Sequence, residues 1–223
     1  QANRRLLQRD EGNPEVEGLI ESAELAFRMQ SSIPEALSLS DETQATQKMY
    51  GLDNRGSSRF GTQCLMARRL AERGVRFIQL TSSGWDHHSR MREAFQFKAN
   101  ATDKPIAGLI ADLKQRDLLK DTLILWGGEF GRQPNPDNNG GRGHNNKGFT
   151  MWMAGGGVKG GFRYGSTDDL GGRAVAGKMG THDLHATILH LLGLDHEALT
   201  YQYSGRDFRL TDTAGTVAEE ILS

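Results

Sequence analysis

The chain has 223 residues and 24.6 kDa, and sets 27 Lys+Arg against 28 Asp+Glu for a formal charge of -1. That balance excludes a generic polyanion binder, since nucleic-acid domains carry a basic excess that neutralises phosphates. Mean hydropathy is -0.57, and no run approaches the roughly 18 to 20 apolar residues that a membrane span needs.

Residues 1–73 read as helix throughout, a segment packing on the core, and residues 74–223 read as an α/β domain. The opening QANRRLLQRDEG has no initiator Met, apolar h-region or cleavage motif, and reads as a start inside a longer protein. Leu19, Ile20, Ala23, Ala26 and Phe27 recur at helical spacing behind Glu15 and Glu17, and Pro34 is expected to break that run. A further helix puts Phe60, Cys64, Ala67, Leu70 and Ala71 on one face and stops at Gly74. Cys64, the single cysteine, forbids an intrachain disulfide and reads as core.

The character changes at residues 75–81, VRFIQLT, whose β-branched and aromatic content predicts a strand running into Ser82-Ser83-Gly84. Ile106, Leu109, Ile110 and Leu113 mark an amphipathic helix, and residues 122–126 form a second apolar strand closed by Gly127-Gly128. Strand, helix and strand with continuous apolar runs predict a βαβ unit, hence a parallel sheet with covered faces. Residues 149–154 are a third strand candidate before Gly155-Gly156-Gly157. The segment 133–147 is polar, rich in glycine and asparagine, and too long for a mere connector, so it reads as a functional loop. Thr181 or Asp183 is placed to cap a helix carrying Leu184, Ile188, Leu191 and Leu192 and ending at Gly193. Glycine numbers 28 and proline 5, a pattern of tight turns rather than of a disordered linker.

Ligands of open parallel sheets bind beyond the carboxyl ends of the strands, and the polar clusters fall at such ends. Asp86-His87-His88 follows the first strand, Glu129 follows the second within GGEFGR, and His144 precedes the third within GRGHN. Carboxylate oxygen with imidazole nitrogen is a donor set that zinc and related divalent ions accept. Each element also has a plainer reading. Adjacent side chains on extended backbone point to opposite faces, so only one of His87 and His88 need face a site. Glu129 and His144 can equally be solvated loop residues. His182 and His185 read as capping and surface residues, and His190 and His196 as ordinary helix and loop positions. Residues 155–161, GGGVKGG, lack the order of a phosphate-binding loop and read as turns. Arg132 and Arg142 are either lone loop arginines or forks for an anionic substrate oxygen.

The runs GWDHH (84–88), DTLILWGGEFGR (121–132), GRGHNNKGFTMWMAGGGVKGG (141–161), HDLHATILHLLGLDHEALTY (182–201) and GRDFRLTD (205–212) strongly resemble the C-terminal half of a large bacterial family of domain-of-unknown-function proteins. That family is commonly described as sulfatases, within the alkaline phosphatase-like superfamily, and the stretch 26–53 resembles its helical middle. The resemblance implies an α/β fold with a partial alkaline phosphatase-like parallel sheet flanked by helices. It implies one or two divalent ions (zinc, manganese, calcium or magnesium) held by Asp86 with His87 or His88, by Glu129, and by His144. Phe130 stands where the superfamily pattern usually has His, so the second acid-His pair is incomplete.

By the same resemblance, the expected activity is metal-dependent hydrolysis of sulfate or phosphate monoesters, with Arg132 and Glu129 at the reacting centre and an anionic ester as substrate. The nucleophile is expected from the N-terminal half of the same protein, which this chain lacks, and the location is expected to be periplasmic or secreted. The alternative from another class is a non-catalytic exported module that uses the same fold to bind metal or glycans.

Overall fold

The computed structural model describes residues 13–223, and the helix expected over residues 1–12 lies outside them. Helix α1 (Pro14–Leu37) begins at a proline, whose missing N–H is no loss in a first turn. Pro34 lies inside this helix and does not break it, contrary to expectation. A proline removes one intrahelical bond, and here the last turn is held from outside. The Arg69 guanidinium donates to the Ala36 and Glu35 carbonyls, each at 2.8 Å.

Helix α2 (Gln44–Met49) follows, with the Thr43 hydroxyl accepting from the Thr46 N–H at 3.1 Å as its N-cap. Helix α3 (Ser58–Glu72) completes the helical segment, which is therefore interrupted at residues 38–43 and 50–57 rather than continuous. Its end is a Schellman motif. Gly74 takes φ +77°, its N–H reaches the Ala71 carbonyl at 2.9 Å, and the Val75 N–H reaches Leu70 at 3.1 Å.

Helix α4 (Met91–Gln115) packs on α3. A Cβ at Gly61 would lie 2.2 Å from the Tyr50 carbonyl oxygen, and one at Gly108 would lie 2.6 Å from that of Met49. These two glycines let α3 and α4 close on the 49–50 turn, and the core forms there from Tyr50, Cys64, Leu65, Leu109 and Leu113. Burial pushes the Cys64 thiol up to about 12, which fits its reading as core. Arg68 is 2% exposed and meets Glu42 at 2.7 Å, Glu72 at 2.6 Å and Asp112 at 2.9 Å. Three carboxylates around one guanidinium offset the cost of taking that charge out of water.

The strands are β1 (Ile124–Trp126), β2 (Gly131–Pro136), β3 (Arg142–Asn145), β4 (Trp152–Ala154), β5 (Ser166–Thr167), β6 (Ala174–Ala176), β7 (Thr200–Tyr203) and β8 (Arg206–Arg209). They form two-stranded antiparallel sheets, β1 with β4, β2 with β3, β5 with β6 and β7 with β8. The chain is thus of mixed α/β class, but the expected parallel sheet is not what the strands build. Two causes are visible. Residues 75–81 belong to no ladder, and among the described residues the backbone of 76–82 makes no backbone hydrogen bond. The connection from β1 to β4 runs through a hairpin and not a crossover helix, and parallel pairing needs the crossover. Leu80 and Ile124 still pack against the helical core and anchor both segments.

Helix α5 (Thr181–Leu191) has Gly180 as N-cap and Thr181 as its first residue. Asp183 does the capping: one carboxylate oxygen accepts from the Gly180 N–H at 2.7 Å and the other from the Thr216 N–H at 2.9 Å. Gly155, Gly156 and Gly157 all have positive φ, as turns require. No helix among the described residues is long and apolar enough to cross a membrane.

Candidate metal centre

Segment 133–147 is a hairpin rather than an irregular loop. Asn139 and Gly140, with φ of 49° and 76°, both occupy the left-handed region, and the Gly141 N–H closes onto the Asn138 carbonyl at 3.1 Å. An Asn-Gly pair with positive φ at both positions is the two-residue turn whose twist suits a hairpin. The tip docks on the segment that follows residues 75–81. The Arg142 N–H donates to the His87 carbonyl and the Arg90 N–H to the Asn139 carbonyl, each at 3.0 Å. Gly141 allows this approach, because a Cβ there would lie 2.0 Å from the His88 carbonyl oxygen.

Docking brings together side chains that are far apart in the chain. Arg132 of β2 and His144 of β3 are register partners and so project from one face. His144 Nε2 lies 3.0 Å from Asp86 Oδ1, and Arg132 Nη1 lies 2.6 Å from the same oxygen. His88 Nε2 is 3.1 Å from Asp86 Oδ1 and 3.0 Å from His144 Nε2. Two imidazole nitrogens and one carboxylate oxygen therefore form a nearly equilateral triangle. All three side chains are about half exposed. The Phe130 ring packs on the His144 ring at 4.2 Å between centroids and steadies its plane.

The triangle fits a divalent ion. Bonds of ~2.1 Å to nitrogen and oxygen set neighbouring ligand atoms ~3.0 Å apart at an octahedral ion and ~3.4 Å apart at a tetrahedral one. The three observed separations lie at the octahedral end of that range. Hydrogen bonding to His144 and then to Arg132 pushes the Asp86 carboxyl down to about 2.

Asp86, His88 and His144 are the residues brought together, and Glu129 and His87 are not part of that group. Glu129 is exposed on the β1–β2 connection. His87 points away: its Nε2 is buried without a hydrogen-bond partner beside Trp85. Burial, followed by the charges of Arg132 and Lys98, lowers the His87 pKa, so the ring stays neutral. Arg142 turns its guanidinium onto the Gly141 carbonyl at 2.8 Å. His182, His185 and His190 are exposed on α5, and His196 is buried with Nδ1 3.0 Å from the Thr211 hydroxyl. One neighbour of the triangle escapes the sequence reading. Asp137 Oδ2 is 3.4 Å from His88 Nδ1, on the side of the ring away from the triangle. Its sequence signal is the Asn-Asn-Gly-Gly run just after it, which marks a hairpin turn.

No curated protein and no solved structure matches the chain. A family model, described as a protein of unknown function (DUF1501), matches residues 1–222. A match over that span places the whole helical segment, the hairpin and the triangle within one family unit, and the chain belongs to the DUF1501 family.

Proposed function

We propose that this chain carries a divalent-metal centre for hydrolysis of sulfate or phosphate monoesters, with Asp86, His88 and His144 as ligands. The observation that carries the reading is the meeting of three donor atoms from two separate segments at 3.0 to 3.1 Å. The resemblance of the motifs to the alkaline phosphatase-like superfamily supports the reaction class. A bound ion of this kind polarises an ester oxygen and lowers the pKa of a bound water. A set with two imidazoles favours zinc over manganese, calcium or magnesium.

The chain's own residues do the rest. Asp86 stays anionic through the physiological range, because His144 and Arg132 hold its pKa near about 2. His88 and His144 offer ring nitrogens, and Phe130 restrains the His144 ring. Arg132 neutralises Asp86 and is the cation suited to an anionic ester oxygen. Glu129, exposed on the β1–β2 connection, is the further acid that the resemblance assigns to this reading. The attacking oxygen is proposed to come from the N-terminal half of the same protein, working in the periplasm or outside the cell.

The test is hydrolysis of p-nitrophenyl sulfate and p-nitrophenyl phosphate by the full protein. The reading expects activity that EDTA removes, that zinc or manganese restores, and that Asp86→Ala and His144→Ala abolish. Metal binding without turnover would favour the second reading, a non-catalytic metal- or glycan-binding module. The aromatic array beside the site speaks for it: Trp85 lies 5.9 Å from Trp126, which stacks on Trp152 at 6.2 Å and 9°, and such flat faces suit sugar rings.

A further inference from the structure

Asp137 stands behind His88 as seen from the triangle. Its Oδ2 is 3.4 Å from His88 Nδ1, whereas His88 Nε2 faces Asp86 and His144. The other oxygen, Oδ1, accepts from the Asn138 N–H at 2.8 Å. The Asp137 N–H donates to the Gly141 carbonyl at 2.8 Å, which places this carboxylate at the base of the hairpin turn. Both oxygens therefore have a partner, and the one presented to His88 sits on a hairpin turn docked to the histidine's own segment.

We propose that Asp137 is the positioning residue of the centre: it accepts the Nδ1 proton of His88, fixes that tautomer, and so presents the bare Nε2 to the metal. The inference rests on the proposed metal centre and adds to it a carboxylate–histidine pair. A neutral imidazole carries one proton, and the hydrogen bond made by one nitrogen decides which nitrogen is free to ligate. Carboxylates in this position orient ligand histidines and raise their basicity, and their loss costs about 10 to 100-fold in metal affinity.

The single asparagine oxygen cannot serve two donors in the same way. In Asp137→Asn the oxygen stays with the Asn138 N–H, so the amide NH2 faces His88 Nδ1. The proton then moves to Nε2, where it opposes ligation, as a carboxylate-to-amide change opposes the working tautomer of a hydrolase histidine. Asp137→Ser keeps an acceptor for the turn and removes the one for His88.

The experiment measures Co2+ affinity of the full chain by competition with a chelator, follows the cobalt d–d absorption, and reads the His88 tautomer by two-bond 1H–15N NMR. Wild type is expected to show the Nδ1–H form of His88. Asp137→Asn is expected to show the Nε2–H form with affinity lower by about 10 to 100-fold, and Asp137→Ser a comparable loss with circular dichroism unchanged. Wild type and Asp137→Asn with the same tautomer and affinities within twofold overturn this inference and leave the centre standing. Absence of Co2+ binding by wild type instead overturns the centre and the positioning role with it.

Discussion

Arg132 and His144 face each other across the β2–β3 ladder, and both side chains end on one atom, Oδ1 of Asp86. A cross-strand pair is thereby turned into a clamp on a carboxylate from another segment. Removing either partner should raise the Asp86 pKa from about 2 toward the ordinary carboxylate range, and His144→Ala should do so more than Arg132→Ala because hydrogen bonding to His144 is the larger cause. Carbon-13 NMR of the Asp86 carboxyl during an acid titration checks this. The sign follows from linkage: a carboxylate whose folded pKa is depressed stabilises the fold above its unfolded pKa, near ~4. That contribution fades as pH falls toward about 2.

Gly141→Ala should undock the hairpin. The added Cβ would meet the His88 carbonyl oxygen at 2.0 Å and the Ser89 nitrogen at 2.6 Å, both backbone atoms, with no flexible side chain to yield. Forced overpacking costs typically about 1 to 3 kcal/mol. Here the same displacement separates His144 from His88, so urea denaturation should show the loss and zinc affinity should fall with it. Gly140→Ala has open space around its Cβ and only the positive φ against it, so it should leave zinc affinity nearly intact.

The helical core should respond as a close-packed interior. Leu65 is fully buried among Tyr50, Cys64, Leu109 and Leu113, and Leu65→Ala should cost about 2 to 5 kcal/mol in chemical denaturation. Cys64, buried and with its thiol pushed up to about 12, should resist a thiol reagent such as DTNB at pH 8 in the folded protein and react stoichiometrically in denaturant. Rapid labelling of the native chain would contradict this packing.

Glu42 joins two buried cations, meeting Arg68 at 2.7 Å and Arg69 at 2.5 Å. Glu42→Gln should destabilise by about 3 kcal/mol, since each arginine then loses a buried counter-charge. Burial pushes the Glu42 carboxyl up, but Arg69 and Arg68 outweigh it and hold its pKa below the ordinary value. Its stabilisation is therefore complete above the unfolded pKa near ~4.3 and lost as pH falls through the lower folded one. The acid limb of the melting profile should be shallower in Glu42→Gln than in wild type.

Local signals in the sequence carried over where local chemistry decides the outcome. The stop at Gly74, the stop at Gly193 and the capping role of Asp183 all follow from backbone groups within a few residues. The strand at 122–126 and that at 149–154 were legible in place but not in pairing. The helix between residues 75–81 and 122–126 suggests a parallel crossover, but 75–81 joins no ladder, and β1 meets β4 antiparallel because the chain between them folds as a hairpin. The Asn139-Gly140 turn was the available cue, and the general polarity of 133–147 masked it. Pro34 misled because a proline removes a single intrahelical bond, while the last turn of α1 is held by Arg69, a partner more than thirty residues away. Within the candidate site, the types Asp, His and His at segment ends were visible. Which of His87 and His88 faces inward, and that Asp137 stands behind His88, depends on the docking of two segments that no linear pattern encodes.

The most direct measurement is equilibrium dialysis of the chain against Zn2+, with the bound metal counted per protein. One ion per chain is expected, with a fall to background in Asp86→Ala, His88→Ala and His144→Ala while His87→Ala retains the ion. A wild-type chain without stoichiometric zinc, or an undiminished count in His144→Ala, would contradict the proposed centre.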